Sequence, residues 1–165
     1  MSESERVVRG AAWRFGSDVD TDVIVPSQYM RFDAERYSQH VMEPLDPDFA
    51  SKLSDGDVVV AERNFGIGSS REHAAIGLKR AGVGAVVAES FGRIFYRNAI
   101  NQGLPALVAD AATVAAIEEG DELEVDVFEG VVRNLTAGEE YRVEAPDGLI
   151  RDILSAGGAK NYYRP

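Results

Sequence analysis

The sequence predicts a mixed α/β domain with a parallel centre and antiparallel strands beside it. Two observations predict this fold class. Residues 57–108 alternate short apolar runs with helical patterns in the order βαβαβ, which favours parallel pairing with helices packed on the sheet. Residues 122–144 alternate apolar and polar positions around a turn glycine, which is typical of antiparallel strands with one face in water.

The elements follow in chain order. Residues 7–13 predict an opening strand, and the apolar run 23–25, stopped by Pro26, predicts a short buried strand after a polar loop. A short helix is expected near residues 34–41. The βαβαβ unit is expected to have strands at 58–61, 83–88 and 104–108, and helices at 69–81 and 93–102. The patterns beyond it predict a helix at 112–118, strands at 122–128, 131–135 and 141–144, and a closing helix at 146–155.

Length and charge exclude several classes of protein. The chain has 165 residues, of which 45% are hydrophobic, and this suits one domain better than two. Its formal net charge is −11, and the acidic residues are scattered, so we expect no binding to nucleic acid or to an anionic membrane. A small anion is still an acceptable ligand, because a local arginine and backbone amides can form a positive pocket on an acidic protein.

Metal ligands and targeting signals are scarce in the sequence. There is no cysteine, which excludes disulfides, thiol catalysis and cysteine-ligated clusters from this chain. The two histidines, His40 and His73, lie far apart, so no metal site is predicted. The first ten residues lack the apolar core of a signal peptide, and no stretch approaches the roughly 18 apolar residues of a membrane span. We therefore expect a cytoplasmic protein.

The most informative segment is residues 66–73 (GIGSSREH), between a predicted strand and a predicted helix. Its two glycines permit a tight turn and let backbone amides approach a ligand. Ser69 and Glu72 fit a capping box at the start of the helix, whose first turn attracts anions, and Arg71 adds donors suited to a carboxylate. The same residues also fit an ordinary helix cap. A phosphate loop is the weaker alternative, because the pattern GxxxxGK[ST] is absent.

Three motifs together resemble one family. Residues 18–26 (DVDTDVIVP), 64–73 (NFGIGSSREH) and 90–104 (SFGRIFYRNAINQGL) resemble, in order and spacing, the small subunits of 3-isopropylmalate dehydratase. The pattern is shared with homoaconitase small subunits and with the swivelling domain of aconitase, and the likeness runs from about residue 14 to residue 108. It implies that residues 1–165 form a single swivelling β/β/α domain of the aconitase C-terminal type.

The resemblance also implies a function. The chain would be the small subunit of a heteromeric hydro-lyase that interconverts 2-isopropylmalate and 3-isopropylmalate by dehydration and rehydration, in leucine biosynthesis. In that family a separate large subunit binds a [4Fe–4S] cluster through three cysteines. We therefore expect this chain to bind no metal or cofactor itself, to pair with such a large subunit, and to bind a small hydroxy-polycarboxylate. A homoaconitase small subunit and a non-catalytic anion-binding module remain alternatives.

Site residues follow from motif position. The resemblance implies that Ser69 is the base that removes the proton next to a carboxylate, while Ser70, Arg71 and the backbone at Gly68 bind the substrate. Arg31 lies on the loop with which the family discriminates between substrates. Its neighbours here match neither the YLRT-like pattern associated with longer, charged substrates nor the apolar pattern that suits the isopropyl side chain.

Acidic and basic residues near these motifs have two interpretations each. Asp22 would lie in the same cleft as a substrate-binding residue, or the three aspartates of residues 18–22 would cap and hydrogen-bond their own loop. His73 is expected to be structural or to support the site from outside, because one turn into a helix it points away from the loop amides. Arg93 and Arg97 would be solvated or would face a partner, and packing and an interface are favoured.

Overall fold

The computed structural model describes residues 7–164, and within them seven strands form one sheet. The strands are β1 (Val7–Phe15), β2 (Val58–Ala61), β3 (Ala85–Ala88), β4 (Ala106–Val108), β5 (Glu122–Asp126), β6 (Val131–Asn134) and β7 (Glu139–Arg142). Their order across the sheet is β4-β3-β2-β1-β5-β6-β7. The long strand β1 joins two halves, because residues 12–15 pair in parallel with β2 while residues 7–11 pair antiparallel with β5.

The two halves differ in burial as the sequence pattern requires. Strands β2 and β3 are apolar and buried at every position, and both pair in parallel with their neighbours. In β5 only Leu123 and Val125 are buried, and the residues between and beside them face water to some degree. Strands β5, β6 and β7 pair antiparallel. The predicted parallel centre with antiparallel strands is confirmed.

Helices and turns lie over the sheet. They are α1 (Thr21–Ile24), α2 (Ala34–Tyr37), α3 (Phe49–Lys52), α4 (His73–Ala81), α5 (Arg93–Asn101), α6 (Ala111–Ala116), α7 (Gly148–Ser155) and α8 (Ala159–Tyr162), with 3-10 turns at Ser27–Tyr29 and Ser38–His40. Alternate residues of β2 point to two separate cores: Val59 packs with Leu78 of α4, whereas Val60 packs with Leu154 of α7. Burial on both faces explains why the parallel strands are continuously apolar.

The predicted strand at residues 23–25 is wrong. Residues 21–24 form the helical turn α1, because the carboxylate of Asp20 accepts a hydrogen bond from the amide of Asp22 at 2.7 Å and caps the turn. Ile24 and Val25 are fully buried, so the apolar run does belong to the core. An aspartate at the cap position supplies the local hydrogen bond that decides between helix and strand in so short a run.

The predicted helix start at Ser69 is also wrong. Helix α4 begins at His73, and Glu72 is its cap residue with no side-chain capping hydrogen bond. The capping box does not form, because the hydroxyl of Ser69 accepts from the amide of Arg71 at 3.1 Å instead of that of Glu72. Residues 69–71 are therefore an irregular segment that connects the glycine loop to α4.

Candidate active site

Three loop segments lie side by side where the parallel strands β1, β2 and β3 end. They are residues 16–22, 62–69 and 89–92, and they carry the three sequence motifs. Backbone hydrogen bonds join them: Asp18 N to Arg63 O (2.8 Å), Gly66 N to Val19 O (2.7 Å), Thr21 N to Ile67 O (2.8 Å), Phe65 N to Ser90 O (3.0 Å) and Gly92 N to Phe65 O (2.8 Å). The carboxyl edge of a parallel sheet is where open α/β folds place their ligands.

Glycines are required where these segments touch. Gly68 has φ +111°, and a Cβ atom there would lie 2.7 Å from an oxygen of the Asp20 carboxylate. At Gly92 a Cβ atom would lie 2.7 Å from the carbonyl oxygen of Gly66. Real Cβ atoms do not approach other atoms so closely, so a larger residue at Gly92 would displace backbone and one at Gly68 would displace the Asp20 carboxylate.

Ser69 lies at the edge of a small depression formed by these loops. The depression has a volume of about 210 Å³ and is lined by Gly66, Ile67, Gly68, Ser69, Gly92, Arg93 and Ile94. The amide of Ser69 donates to the hydroxyl oxygen of Thr21 at 3.0 Å. Thr21 is buried, so this bond fixes the backbone of Ser69 to the core while its side chain stays partly accessible.

Two backbone amides beside Ser69 are free to bind a ligand. Among residues 7–164, neither the amide of Gly68 nor that of Ser70 donates a hydrogen bond to any acceptor. Both residues are exposed. Unpaired amides at one end of a loop are suitable donors for an anion such as a carboxylate. The carbonyl oxygen of Ser70 accepts a long hydrogen bond of 3.5 Å from Asn98 of α5.

The arginines form the cationic side of the site. Arg71 and Arg93 are exposed, and Arg93 lines the depression although the sequence favoured a role in packing and the interface. The guanidinium of Arg71 contacts the sulfur of Met30, the residue directly before Arg31, at 3.3 Å. The guanidinium of Arg31 itself stacks on the ring of Phe32, 4.8 Å from its centre. Of the predicted site residues, Gly68 and Ser69 line the depression, whereas Ser70 and Arg71 follow them in the chain without lining it. Within residues 7–164, Arg31 is connected to Arg71 only through its neighbour Met30.

The aspartates of the first motif divide between the two interpretations. The carboxylate of Asp18 accepts from the side-chain amide of Asn64 at 2.8 Å, and that of Asp20 caps α1, so both hold the loops together. The carboxylate of Asp22 is exposed and makes no hydrogen bond or ion pair with another residue of the described part of the chain. Asp22 is therefore the member of this group that remains available to a substrate or a partner, but it does not line the depression.

His73 and Arg97 lie outside the depression. His73 is the first residue of α4, whereas the sequence predicted it one turn inside the helix. Its ring centre lies 5.3 Å from that of Tyr37. Its Nδ1 atom is buried and has no hydrogen-bond partner within residues 7–164. Burial raises the pKa of the Tyr37 hydroxyl. Arg97 lines a separate groove of about 370 Å³ between α5, α7 and α8, to which Arg93 also contributes.

A polar cluster that the sequence did not indicate is formed by residues before and after Arg31 in the chain. The hydroxyl of Tyr29 donates to one oxygen of Glu43 at 2.6 Å, and Nδ1 of His40 lies 2.7 Å from the other oxygen. The Tyr29 and His40 rings stack at 3.9 Å with an interplanar angle of 3°. The hydrogen bonds from Tyr29 and His40 lower the pKa of Glu43, and the hydrogen bond to Glu43 raises the pKa of Tyr29.

This chain has no cysteine, the usual protein ligand of an iron–sulfur cluster. Residues 7–164 also bring no three histidine, aspartate or glutamate side chains together as a metal site would require. In the same range, no helix combines the length and apolarity needed to cross a membrane.

Comparison with known families settles the relationship of this chain. The model of the aconitase C-terminal domain matches residues 20–112, more than half of the chain, including nearly all of the three motifs. The chain belongs to the aconitase C-terminal domain family. The resemblance predicted from the motifs is thereby confirmed, and so is the coarse enzyme class, a small subunit in the hydro-lyase superfamily of aconitase.

Relatives in this family are similar along almost their whole length. A 3-isopropylmalate dehydratase small subunit of Pyrobaculum calidifontis is 55% identical over 159 residues, which cover 96% of this chain and 98% of that protein. A methanogen homoaconitase small subunit of Methanothermobacter thermautotrophicus is 51% identical over 160 residues, covering 96% of this chain and 92% of that one. A crystal structure of 3-isopropylmalate dehydratase from Methanocaldococcus jannaschii has a TM-score of 0.90 at 44% identity, covering 94% of this chain and 92% of that chain. The predicted swivelling-type fold is confirmed.

Proposed function

We propose that this chain is the small subunit of a heteromeric hydro-lyase that isomerises 2-isopropylmalate and 3-isopropylmalate by loss and re-addition of water, in leucine biosynthesis. The observation that carries the proposal is the position of Ser69. It lies at the edge of a depression that Arg93 also lines, beside two free amides, in a chain with a relative named as a small subunit of this enzyme. The cationic side of the site suits a substrate that carries two carboxylates.

Each predicted site residue receives a role in this proposal. Ser69 loses its own proton when substrate is bound, and the resulting alkoxide accepts the proton from the carbon next to a carboxylate. The electron pair of that C–H bond forms the double bond as hydroxide leaves from the neighbouring carbon, and hydroxide together with the proton lost by Ser69 gives the water that is released. The amides of Gly68 and Ser70 and the fork of donors on Arg71 bind the carboxylate. Arg31 and Asp22 contact parts of the substrate or partner farther from the reacting bond. Re-addition of water to the other carbon completes the isomerisation.

The size of the electrostatic stabilisation of a Ser69 alkoxide indicates when the proton transfer takes place. A cation about 4 Å from the Ser69 oxygen favours the alkoxide by about 4 kcal/mol at an effective dielectric constant near 20, or about three pKa units. That is too little to ionise a serine hydroxyl at pH 7. Ser69 therefore acts as a base only while substrate is bound, when the amides and arginines stabilise the charge that develops on the carboxylate.

The proposal requires a second polypeptide. Because this chain has no cysteine, the [4Fe–4S] cluster that the family resemblance implies would be held by the cysteines of a large subunit and would supply a Lewis acid for the leaving hydroxyl. We infer that residues 1–165 act as one domain, since one sheet runs through the described part. We infer no affinity for nucleic acid or anionic membranes, because of the net charge of −11. We also infer a cytoplasmic enzyme, because the relatives are named as biosynthetic enzymes.

A homoaconitase small subunit is the second candidate function. Two observations favour it: Arg31 follows Met30, whose sulfur contacts the guanidinium of Arg71, and an arginine suits an additional carboxylate; and one 51% identical relative carries that name. A non-catalytic anion-binding module is the alternative from another class. It differs from both in requiring no large subunit to bind its ligand.

Reconstitution tests the proposal. The chain is mixed with a cluster-loaded large subunit of this family and assayed on isopropylmalate and on homoaconitate. We expect activity only in the mixture and higher turnover on isopropylmalate. Ser69→Ala should lower turnover by at least about a hundred-fold, as removal of a general base does, while assembly is unchanged. Ser51→Ala, at an exposed serine of α3, is the matched control.

Three outcomes would count against the proposal. Higher turnover on homoaconitate would select the second candidate. Binding of citrate-like acids by the isolated chain, without activity in any mixture, would select the anion-binding module. If Ser69→Ala prevented assembly and Ser51→Ala did not, Ser69 would have a structural role only.

A further inference from the structure

Glu43 connects two aromatic rings at the base of the segment that carries Arg31. Its two carboxylate oxygens are used separately, one by the hydroxyl of Tyr29 at 2.6 Å and the other by Nδ1 of His40 at 2.7 Å. The two rings stack face to face at 3.9 Å. We call Tyr29, His40 and Glu43 the carboxylate clamp. Tyr29 is therefore held at two points, its hydroxyl by Glu43 and its ring by the stack on His40.

The clamp is fastened to the core at its Glu43 end. Met42, directly before Glu43, is fully buried and has φ +62°, a conformation that a methionine adopts only when its surroundings impose it. Its amide donates to the carbonyl oxygen of Ile24 in α1 at 2.9 Å, and the amide of Glu43 donates to the carbonyl oxygen of His40 at 3.2 Å. The backbone that presents Glu43 is therefore tied to the fully buried end of α1.

The other end of the clamp leads to the proposed substrate-binding group. Tyr29 is the last residue of the 3-10 turn Ser27–Tyr29, and the next residue, Met30, has its sulfur 3.3 Å from the guanidinium of Arg71. Arg31 follows immediately. Removing a tether from Tyr29 changes where Met30 and Arg31 lie relative to Arg71, because one peptide bond separates the clamp from Met30.

We propose that Glu43 is a positioning residue, which holds the Met30–Arg31 segment against Arg71 through Tyr29. The effect on catalysis rests on the proposed function, whereas the effect on Met30 does not. Glu43 touches neither Arg71 nor the depression at Ser69, so it acts on substrate only through the clamp. A hydrogen bond to a charged group corresponds to a change of about ten-fold or more in an equilibrium constant. Loss of the Tyr29 hydroxyl is therefore expected to weaken substrate binding by about that factor.

The first measurement is independent of activity. The full chain is labelled at its methionine methyl groups, and the NMR signal of Met30 is assigned with Met30→Leu. Tyr29→Phe, which removes one oxygen and leaves the ring stack in place, should shift or broaden the Met30 signal. Glu43→Ala should do the same, and Glu43→Gln should restore most of the wild-type signal, because its amide oxygen still accepts from Tyr29. Tyr163→Phe, at an exposed tyrosine near the C-terminus, should have no effect.

The second measurement separates positioning from a general loss of structure. In the reconstituted enzyme, Tyr29→Phe should raise KM about ten-fold with kcat within about two-fold of wild type, as expected when binding common to substrate and transition state is lost. An unchanged Met30 signal in Tyr29→Phe overturns the proposal, and so does a fall in kcat at constant KM. If wild type is inactive on both acids, the proposed function fails, and the Met30 signal alone then decides whether the clamp positions this segment.

Discussion

Replacing Gly68 by alanine perturbs the glycine loop in two ways. The backbone at Gly68 has φ +111°, outside the region that an alanine occupies without strain. The added Cβ atom would lie 2.7 to 2.9 Å from three atoms of the Asp20 carboxyl group. A carboxylate can rotate away from such a contact, but here it caps α1 through the amide of Asp22. Relief of the contact therefore removes the cap.

The expected loss of stability follows from these terms. A strained φ costs about 1 to 3 kcal/mol, and loss of a helix cap costs about 0.5 to 2 kcal/mol. The lower backbone entropy of the unfolded alanine chain offsets about 0.4 to 1 kcal/mol. We expect Gly68→Ala to lower the free energy of unfolding by about 2.5 kcal/mol, to within a factor of two.

Two other glycines provide matched controls. Gly138 has φ +71° but open space around its Cβ position, so Gly138→Ala retains only the backbone cost, about 0 to 1.6 kcal/mol after the same offset. Gly16 has neither a positive φ nor a neighbour within 4 Å, so Gly16→Ala should be neutral or slightly stabilising. Urea unfolding followed by the fluorescence of Trp13, the only tryptophan, measures all three.

A double-mutant cycle with Asp20→Ala tests the cause. If Gly68→Ala acts partly through the Asp20 carboxylate, the two changes together should cost about 1 kcal/mol less than the sum of the single changes. Strict additivity, or a cost for Gly68→Ala no larger than that for Gly138→Ala, would refute the argument from close approach.

Three further predictions use the same unfolding measurement. Thr21→Val keeps the shape of a buried side chain but leaves the amide of Ser69 without its acceptor. It should lower the free energy of unfolding by about 1 to 3 kcal/mol. Asp57→Ala removes a buried carboxylate that accepts from two backbone amides and from the indole of Trp13. It should lower the free energy of unfolding by about 2 to 5 kcal/mol and shift the indole fluorescence. An unchanged spectrum would contradict the hydrogen bond from the indole. The pKa of Glu43 is lowered from 4.5, so the stabilisation from ionised Glu43 is present above pH 4.5 and is lost as the pH falls through the lowered pKa. The pKa of Tyr29 is raised from 10.0, so the stabilisation from its neutral hydroxyl is present below pH 10.0 and is lost as the pH rises through the raised pKa. The stability advantage of wild type over Tyr29→Phe should therefore shrink at both ends of the pH range, and a constant difference would contradict the hydrogen bond.

The sheet could be predicted because its pattern is local. Continuous apolar runs at residues 58–61 and 85–88 indicate burial on both faces, and the alternation at residues 122–126 indicates burial on one. The motif containing Ser69 was also recognised from sequence alone. These properties depend on residue type and spacing within about ten positions, which is the range over which hydrophobic periodicity is informative.

The errors lie where a distant partner decides the local conformation. The sequence of residues 69–72 permits a capping box, but the amide of Ser69 bonds to Thr21, which is 48 residues away, and α4 then begins at His73. Residues 23–25 have the composition of a strand, but the carboxylate of Asp20 starts a helical turn there. In both cases two local structures of similar free energy compete, and one hydrogen bond selects between them.

By itself, the sequence determined the α/β class, the parallel and antiparallel halves of the sheet, the family, and Ser69, Ser70 and Arg71 as candidate site residues. Only the tertiary structure decided that Asp18 and Asp20 hold loops together while Asp22 stays free, that Arg93 lines the depression, and that Glu43 reaches Tyr29 beneath the Arg31 segment. The physical reason is that burial and periodicity are recorded in each short stretch of sequence. Hydrogen bonds between distant segments instead depend on donor and acceptor geometry, which exists only after the chain has folded.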